Sequence, residues 1–196
     1  MDKQEVKGKC LAEYRVEVWL GLVFVSVNPD VESLAPGLEA LADRLQPYDL
    51  AAYTVVHRAE GEFECNWKVL VENFCESYHV FSVHKNTLEI NSPTRTTKVL
   101  EGGPGFNHHT MTALSSDTFS DESLARLPSE LVDIGHLICI YPCLAFSIDP
   151  EMALWLTVRP TGTLCRSLTK RFIERFTSRR AGRSRGSSWR IFGPEG

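Results

Sequence analysis

One segment limits the fold more than any other: residues 67–88 contain neither Gly nor Pro and read as the longest helix candidate in the chain. Most of the segments on either side read as strands. Tyr14-Arg15-Val16-Glu17-Val18-Trp19 alternates, Gly21 offers a turn, and Leu22-Val23-Phe24-Val25-Ser26-Val27 is rich in β-branched and aromatic residues. Together they predict a hairpin, ended by the turn chemistry of Asn28-Pro29-Asp30. Leu34, Leu38, Leu41 and Leu45 then fall at a helical period, with Ser33 as the expected N-cap. Residues 53–65 return to strand character, with a turn or bulge expected at Glu60-Gly61. Beyond the long helix, strands are expected around 96–100 and 107–113, then a polar loop with one short helix over 115–130. A final pair covers 136–148 and 152–159, joined near Asp149-Pro150. Strands, helix, strands is the signature of an α+β domain, an antiparallel sheet folded about one long helix.

Composition narrows the function classes. A hydrophobic content of 43% excludes a globally disordered chain and supports one moderate domain with a real core. No run approaches the roughly 18 apolar residues of a membrane helix. The stretch Met1-Asp2-Lys3-Gln4-Glu5-Val6-Lys7 is polar, so a cytoplasmic location is expected. The six cysteines are scattered, with no CxxC pair, which favours buried thiols over a disulfide framework. Cys139 and Cys143 are expected to share a strand face as packing residues. Charge is uneven: residues 1–163 hold 12 Lys/Arg against 23 Asp/Glu, residues 164–196 hold 9 against 2. From Arg166 onward apolar periodicity is lost, which predicts a solvated, disordered or non-native tail. A basic arm for nucleic acid is the competing reading, but no aromatic platform or binding module accompanies the charge.

The chemistry is concentrated in Asn66-Trp67-Lys68-Val69-Leu70-Val71-Glu72-Asn73-Phe74-Cys75-Glu76-Ser77-Tyr78-His79-Val80-Phe81-Ser82-Val83-His84. Two imidazoles and a carboxylate here match the donor types of a two-histidine, one-carboxylate iron site with open positions. On a regular helix, residues five apart point about 140° from one another. His79 and His84 can therefore meet at one metal only if the helix bulges, bends or ends between them. The spacing also departs from the H-E-x-x-H of hydrolytic zinc helices, whose ligands lie one turn apart. Glu76, three residues before His79, is placed to accept the ring N–H that a metal leaves unused, and Asn73 lies one further turn back. Tyr78, Trp67 and Phe74 read as packing residues. Of His108 and His109, at most one lines a pocket, and His57 and His136 read as surface or strand-end residues.

This segment resembles the start of the catalytic domain of Rieske-type non-haem iron oxygenase α subunits, whose pattern is N-W-K…E-N-x-x-[DE]-x-Y-H-x4-H. The resemblance implies that His79 and His84 are ligands of a mononuclear Fe(2+). It makes Glu76 the acidic bridge by which an electron arrives from a Rieske [2Fe-2S] cluster on a neighbouring subunit, with Asn73 bordering the pocket. Glu at the bridge, with E-N-F before it, looks like the branch acting on choline and carnitine. Aromatic-ring dioxygenases and monooxygenases of aromatic hydrocarbon catabolism are the other candidates. The implied fold is a helix-grip sheet. The implied partners are a small-molecule substrate, O2 and a reductase or ferredoxin, within a homotrimer; no membrane is involved.

Residues 14–25 are similar to the closing strands of a Rieske domain, and 140–142 and 154–160 to later catalytic-domain strands. The expected division is therefore 1–45 as a Rieske-domain remnant with linker helix, 46–163 as a partial iron-binding domain, and 164–196 as the tail. The C-x-H and C-x2-H pairs of a Rieske cluster are absent from these 196 residues. The family's third iron ligand is a downstream Asp, and no residue matches its motif; Asp133 and Asp149 are not assigned to that role. The chain thus reads as the centre of a longer oxygenase, with a non-catalytic ligand-binding domain as the alternative.

Overall fold

The computed structural model describes residues 10–113, 119–142 and 144–159, and the backbone of 160 and 165–175. The expected hairpin forms from β1 (Arg15–Trp19) and β2 (Leu22–Ser26), with Trp19 opposite Leu22. Leu20 and Gly21 both take positive φ, 47° and 82°, the backbone that a two-residue turn needs to match strand twist. Gly21 is also forced by space, because a Cβ there would lie 2.9 Å from the Ala51 Cα.

A seven-stranded antiparallel sheet forms the body, in the order β3 (Tyr53–Gly61), β9 (Cys165–Arg175), β8 (Met152–Pro160), β7 (Leu144–Ile148), β6 (Ile134–Ile140), β5 (Phe106–Thr112) and β4 (Lys98–Val99). Strands β4 to β8 run as a meander, and β9 returns between β8 and β3. The chain from the end of β3 to the start of β4 must therefore travel from one edge of the sheet to the other. That crossing segment carries the histidine motif.

Strand alternation gives the sheet two different faces. Phe106, Ile138, Ile140, Phe146, Ile148, Ala153 and Trp155 turn to one face and pack with Leu38, Leu41, Leu45, Tyr48, Leu50 and Trp19 of the preceding segment. Phe146 stacks on Trp155 with ring centroids 5.1 Å apart. On the opposite face Cys139, Ala145 and Val158 pack against α2 (Trp67–Phe74), chiefly against Val71.

The α+β, antiparallel class agrees with the sequence, but several boundaries move. The expected helix over 67–88 is three helices: α2, α3 (Val80–Val83) and α4 (Leu88–Asn91). The segment 33–45 is a 3-10 turn, Ala35–Leu38, followed by α1 (Glu39–Leu45). Ser33 caps neither; its hydroxyl donates to Glu17 at 3.0 Å. Glu60-Gly61 continues β3, and the irregularity lies between Val55 and His57. The expected strand over 136–148 is two strands, parted by a turn that contains the cis Tyr141–Pro142 bond. Residues 165–175, read as tail, form a strand paired on both sides, so a boundary at 163 falls between two neighbouring strands. Residues 176–196 lie outside the described residues. No helix among the described residues is long and apolar enough to cross a membrane.

Candidate metal centre

Asn66 starts α2 as its N-cap, its side-chain oxygen accepting the Lys68 N–H at 2.9 Å. The helix ends at Phe74, and the Cys75 N–H closes it on the Val71 and Glu72 carbonyls. Glu76, Ser77 and Tyr78 then leave the helical path, and His79 begins a second, one-turn helix as its N-cap residue. His84 follows that turn as its C-cap. The two imidazoles thus flank four residues of α3 instead of sitting on one continuous helix. Their ring centroids lie 5.2 Å apart, at 71° to each other. The interruption falls before His79, over Cys75–Tyr78, and not between the two histidines: helical hydrogen bonds run from the Val83 N–H to the His79 carbonyl and from the His84 N–H to the Val80 carbonyl, and the helix ends at His84.

Glu76 holds His79 twice. One carboxylate oxygen accepts the His79 backbone N–H at 3.1 Å, and the other accepts the ring Nδ1–H. The donor at Nδ1 leaves Nε2 of His79 with its lone pair available. Burial alone would raise the Glu76 carboxyl, but the hydrogen bonds from His79 outweigh it and hold the group below its usual value. Asn73 donates to Glu76 from the last turn of α2 at 3.4 Å. Burial, with His79 close by, keeps the His84 imidazole below its ordinary value and therefore neutral, the form that ligates. Ser77 anchors the break from beneath: it is buried, and its hydroxyl lies 2.9 Å from that of Thr97 beside β4.

Asn73, Glu76, His79 and His84 are therefore brought together. The donor chemistry fits a divalent metal at two positions, and no group of three or more His, Cys, Asp or Glu able to hold one occurs among the described residues. Asp149 is a turn residue, accepting the Glu151 and Met152 N–H groups at 2.9 and 2.7 Å.

Several other expectations change. Tyr78 is 76% exposed, with its ring edge-to-face with Phe81, so it is not a core packing residue. Trp67 and Phe74 are half-buried at the margin of the α2 contact. His136 is buried rather than at a surface, with Nδ1 2.8 Å from His108 Nε2. His108 and His109 face opposite sides, as adjacent strand residues must. His109 shares the sheet face of Asn107 and Cys139. It is 3% exposed and its Nε2 has no partner among the described residues. Burial lowers its imidazole while the Glu76 carboxylate pulls the other way, which sets His109 beside the histidine motif. Alternation separates His108 from His109, but only the pairing of β5 with β6 decides which of the two shares the face of Cys139.

Comparison with known proteins decides the family. The family model for the ring-hydroxylating α subunit catalytic domain matches residues 50–173. The chain belongs to that family. Its matched span includes the whole histidine motif and nearly all of β9. Among solved structures, the chain is similar to a quaternary ammonium Rieske monooxygenase linked to carnitine oxidation by gut microbiota, at 18% identity and a TM-score of 0.69, over 83% of this chain and 43% of that one. It is also similar to naphthalene 1,2-dioxygenase with indole bound in its active site, at 14% identity and a TM-score of 0.63, over 82% and 43%. At such identities the likeness is one of fold. The chain spans less than half the length of either. No curated protein matches it.

Proposed function

We propose that this family member contributes His79 and His84 to a mononuclear Fe(II) site of an oxygenase that hydroxylates or oxidatively demethylates a small organic substrate. The carrying observation is the double hold of Glu76 on His79, with His84 facing it across one helical turn. Bound Fe(II) would supply dioxygen activation. The chain's own residues do the positioning. Glu76 fixes the His79 tautomer so that Nε2 is the ligating atom, and Asn73 steadies the carboxylate from α2. Half-exposed Glu76 also gives an electron a hydrogen-bonded route into His79 from a Rieske [2Fe-2S] cluster held outside these residues, and a reductase or ferredoxin would feed that cluster. A head-to-tail homotrimer would set a neighbour's cluster against Glu76. The Glu at the bridge, with E-N-F before it, supports a quaternary amine substrate over an aromatic ring.

The test is metal binding. The purified chain should take up about one Fe(II) or Co(II), weakly, and His84→Ala should abolish uptake. Equal metal retention in the variant overturns the assignment. A ligand-binding domain without competent iron is the second reading, favoured by the convergence of only two ligands. It predicts no oxygen uptake when a reductase and a cluster-bearing partner subunit are supplied.

A further inference from the structure

The seam between α2 and β6 brings two thiols together. Cys75 follows the last turn of α2 and is half-buried, whereas Cys139, in β6, is sealed at 0% exposure. Cys75 packs against the small cluster in which Cys139 is buried with Val71, Ala145 and Val158, and hydrogen bonding by Cys139 and by the Asn107 side chain lowers the Cys75 thiol. Asn107 is the cross-strand partner of Cys139 and accepts its backbone N–H at 3.1 Å, so one side chain clamps both cysteines. The Cys139 hydrogen bond, opposed by burial and by the Glu72 carboxylate but helped by Asn107, leaves the Cys75 thiol lowered to about 7. Such a group is substantially thiolate at neutral pH, and it has a second thiol at hand.

We propose that Cys75 and Cys139 form an oxidisable pair, with Cys75 the sulfur attacked by hydrogen peroxide and Cys139 the one that resolves it into a disulfide. The Cys75 thiolate attacks one peroxide oxygen and the O–O bond breaks. A sulfenic acid forms, and the departing hydroxide takes a proton to become water. The Cys139 sulfur, giving up its proton, then attacks the Cys75 sulfur; the S–O bond breaks and that hydroxide leaves with the proton as a second water. Two thiols and one peroxide give one disulfide and two waters. Peroxide is reduced by two electrons and the pair oxidised by two. Cys75 directly precedes Glu76, so the bond would tie the start of the histidine loop to β6.

The test uses the reduced full-length chain at neutral pH. After peroxide treatment and alkylation of remaining thiols, tandem mass spectrometry should find Cys75 linked to Cys139 with the loss of two hydrogens, reversed by dithiothreitol. Cys75 should lose its alkylatable thiol several-fold faster than exposed Cys10. In Cys139→Ser, Cys75 should be trapped by dimedone as the sulfenic acid. The wild-type map decides the matter even if that variant does not fold. Cys75 remaining alkylatable while Cys10 is consumed, or Cys75 linking to Cys65 or Cys143 instead, overturns the proposal.

Discussion

Glu76 accepts hydrogen bonds from the backbone and the ring of one residue, His79, and a further one from Asn73. A neutral amide at this position could still accept the ring N–H, but without the charge that makes the contact strong. Glu76→Gln should therefore weaken Co(II) binding by roughly tenfold or more, the usual cost of losing an outer partner of a ligating histidine. Competition against a coloured chelator at pH 7 would measure it, and an unchanged affinity would show that Glu76 does not orient His79. Residue types and spacing made this group a candidate, and the resemblance carried by the flanking N-W-K, E-N-F and E-S-Y-H made it legible in advance. His109 was not legible in the same way. Its place beside the motif depends on which face of β5 meets the crossing segment, and that follows from strand pairing alone.

At the scale of elements, the decisive feature is the interruption between α2 and α3. Helical propensity alone would carry one helix through residues 67–88, which contain no Gly or Pro. Tertiary contacts override it: Ser77 is bound beside β4 through Thr97, and its carbonyl accepts the Thr94 hydroxyl at 3.3 Å. The start of α2, by contrast, is set locally by Asn66. Asn66→Ala should destabilise the protein by about 1 kcal/mol, as loss of an N-cap does. Urea unfolding would detect this, and a change within about 0.3 kcal/mol would mean that α2 is held by packing on the sheet and not by its cap.

For the whole molecule, the sheet separates two chemistries. The face turned to α1 buries His108 and His136 beside the half-buried Arg44, whose guanidinium donates to the Glu101 carbonyl at 2.7 Å and lies 3.3 Å from His108 Nδ1. Burial, then the neighbouring His136 and Arg44, lowers His108 to about 3, and burial with Arg44 lowers His136 to about 4. In the unfolded chain both would take up protons near pH 6.5. The folded state refuses those protons, so stability is full above about pH 6.5 and falls as pH drops toward 4. The slope is about 1.4 kcal/mol per pH unit for each histidine. The urea midpoint should therefore be clearly lower at pH 5 than at pH 7; an equal midpoint at both would mean that the pair is protonated in the fold. Nothing in the sequence marked these two residues as a buried pair, because they lie 28 positions apart and meet only through the β5–β6 register.

The sequence by itself determined the α+β class, the hairpin and its turn, and the family to which the chain belongs. It also set a condition on His79 and His84: to meet at one metal they need the helix to bulge, bend or end between them, since residues five apart on a regular helix point about 140° from one another. These are local properties, written in periodicity, turn residues and spacing. Tertiary structure decided where the break falls, that residues 165–175 lie inside the sheet, and which histidines are buried together. Each depends on pairing between segments distant in sequence, where hydrogen-bond register and face, not composition, choose the neighbour. The rings of His79 and His84 lie 5.2 Å apart at the two ends of α3, and the sheet, through Thr97 and Ser77, holds the interruption that precedes them.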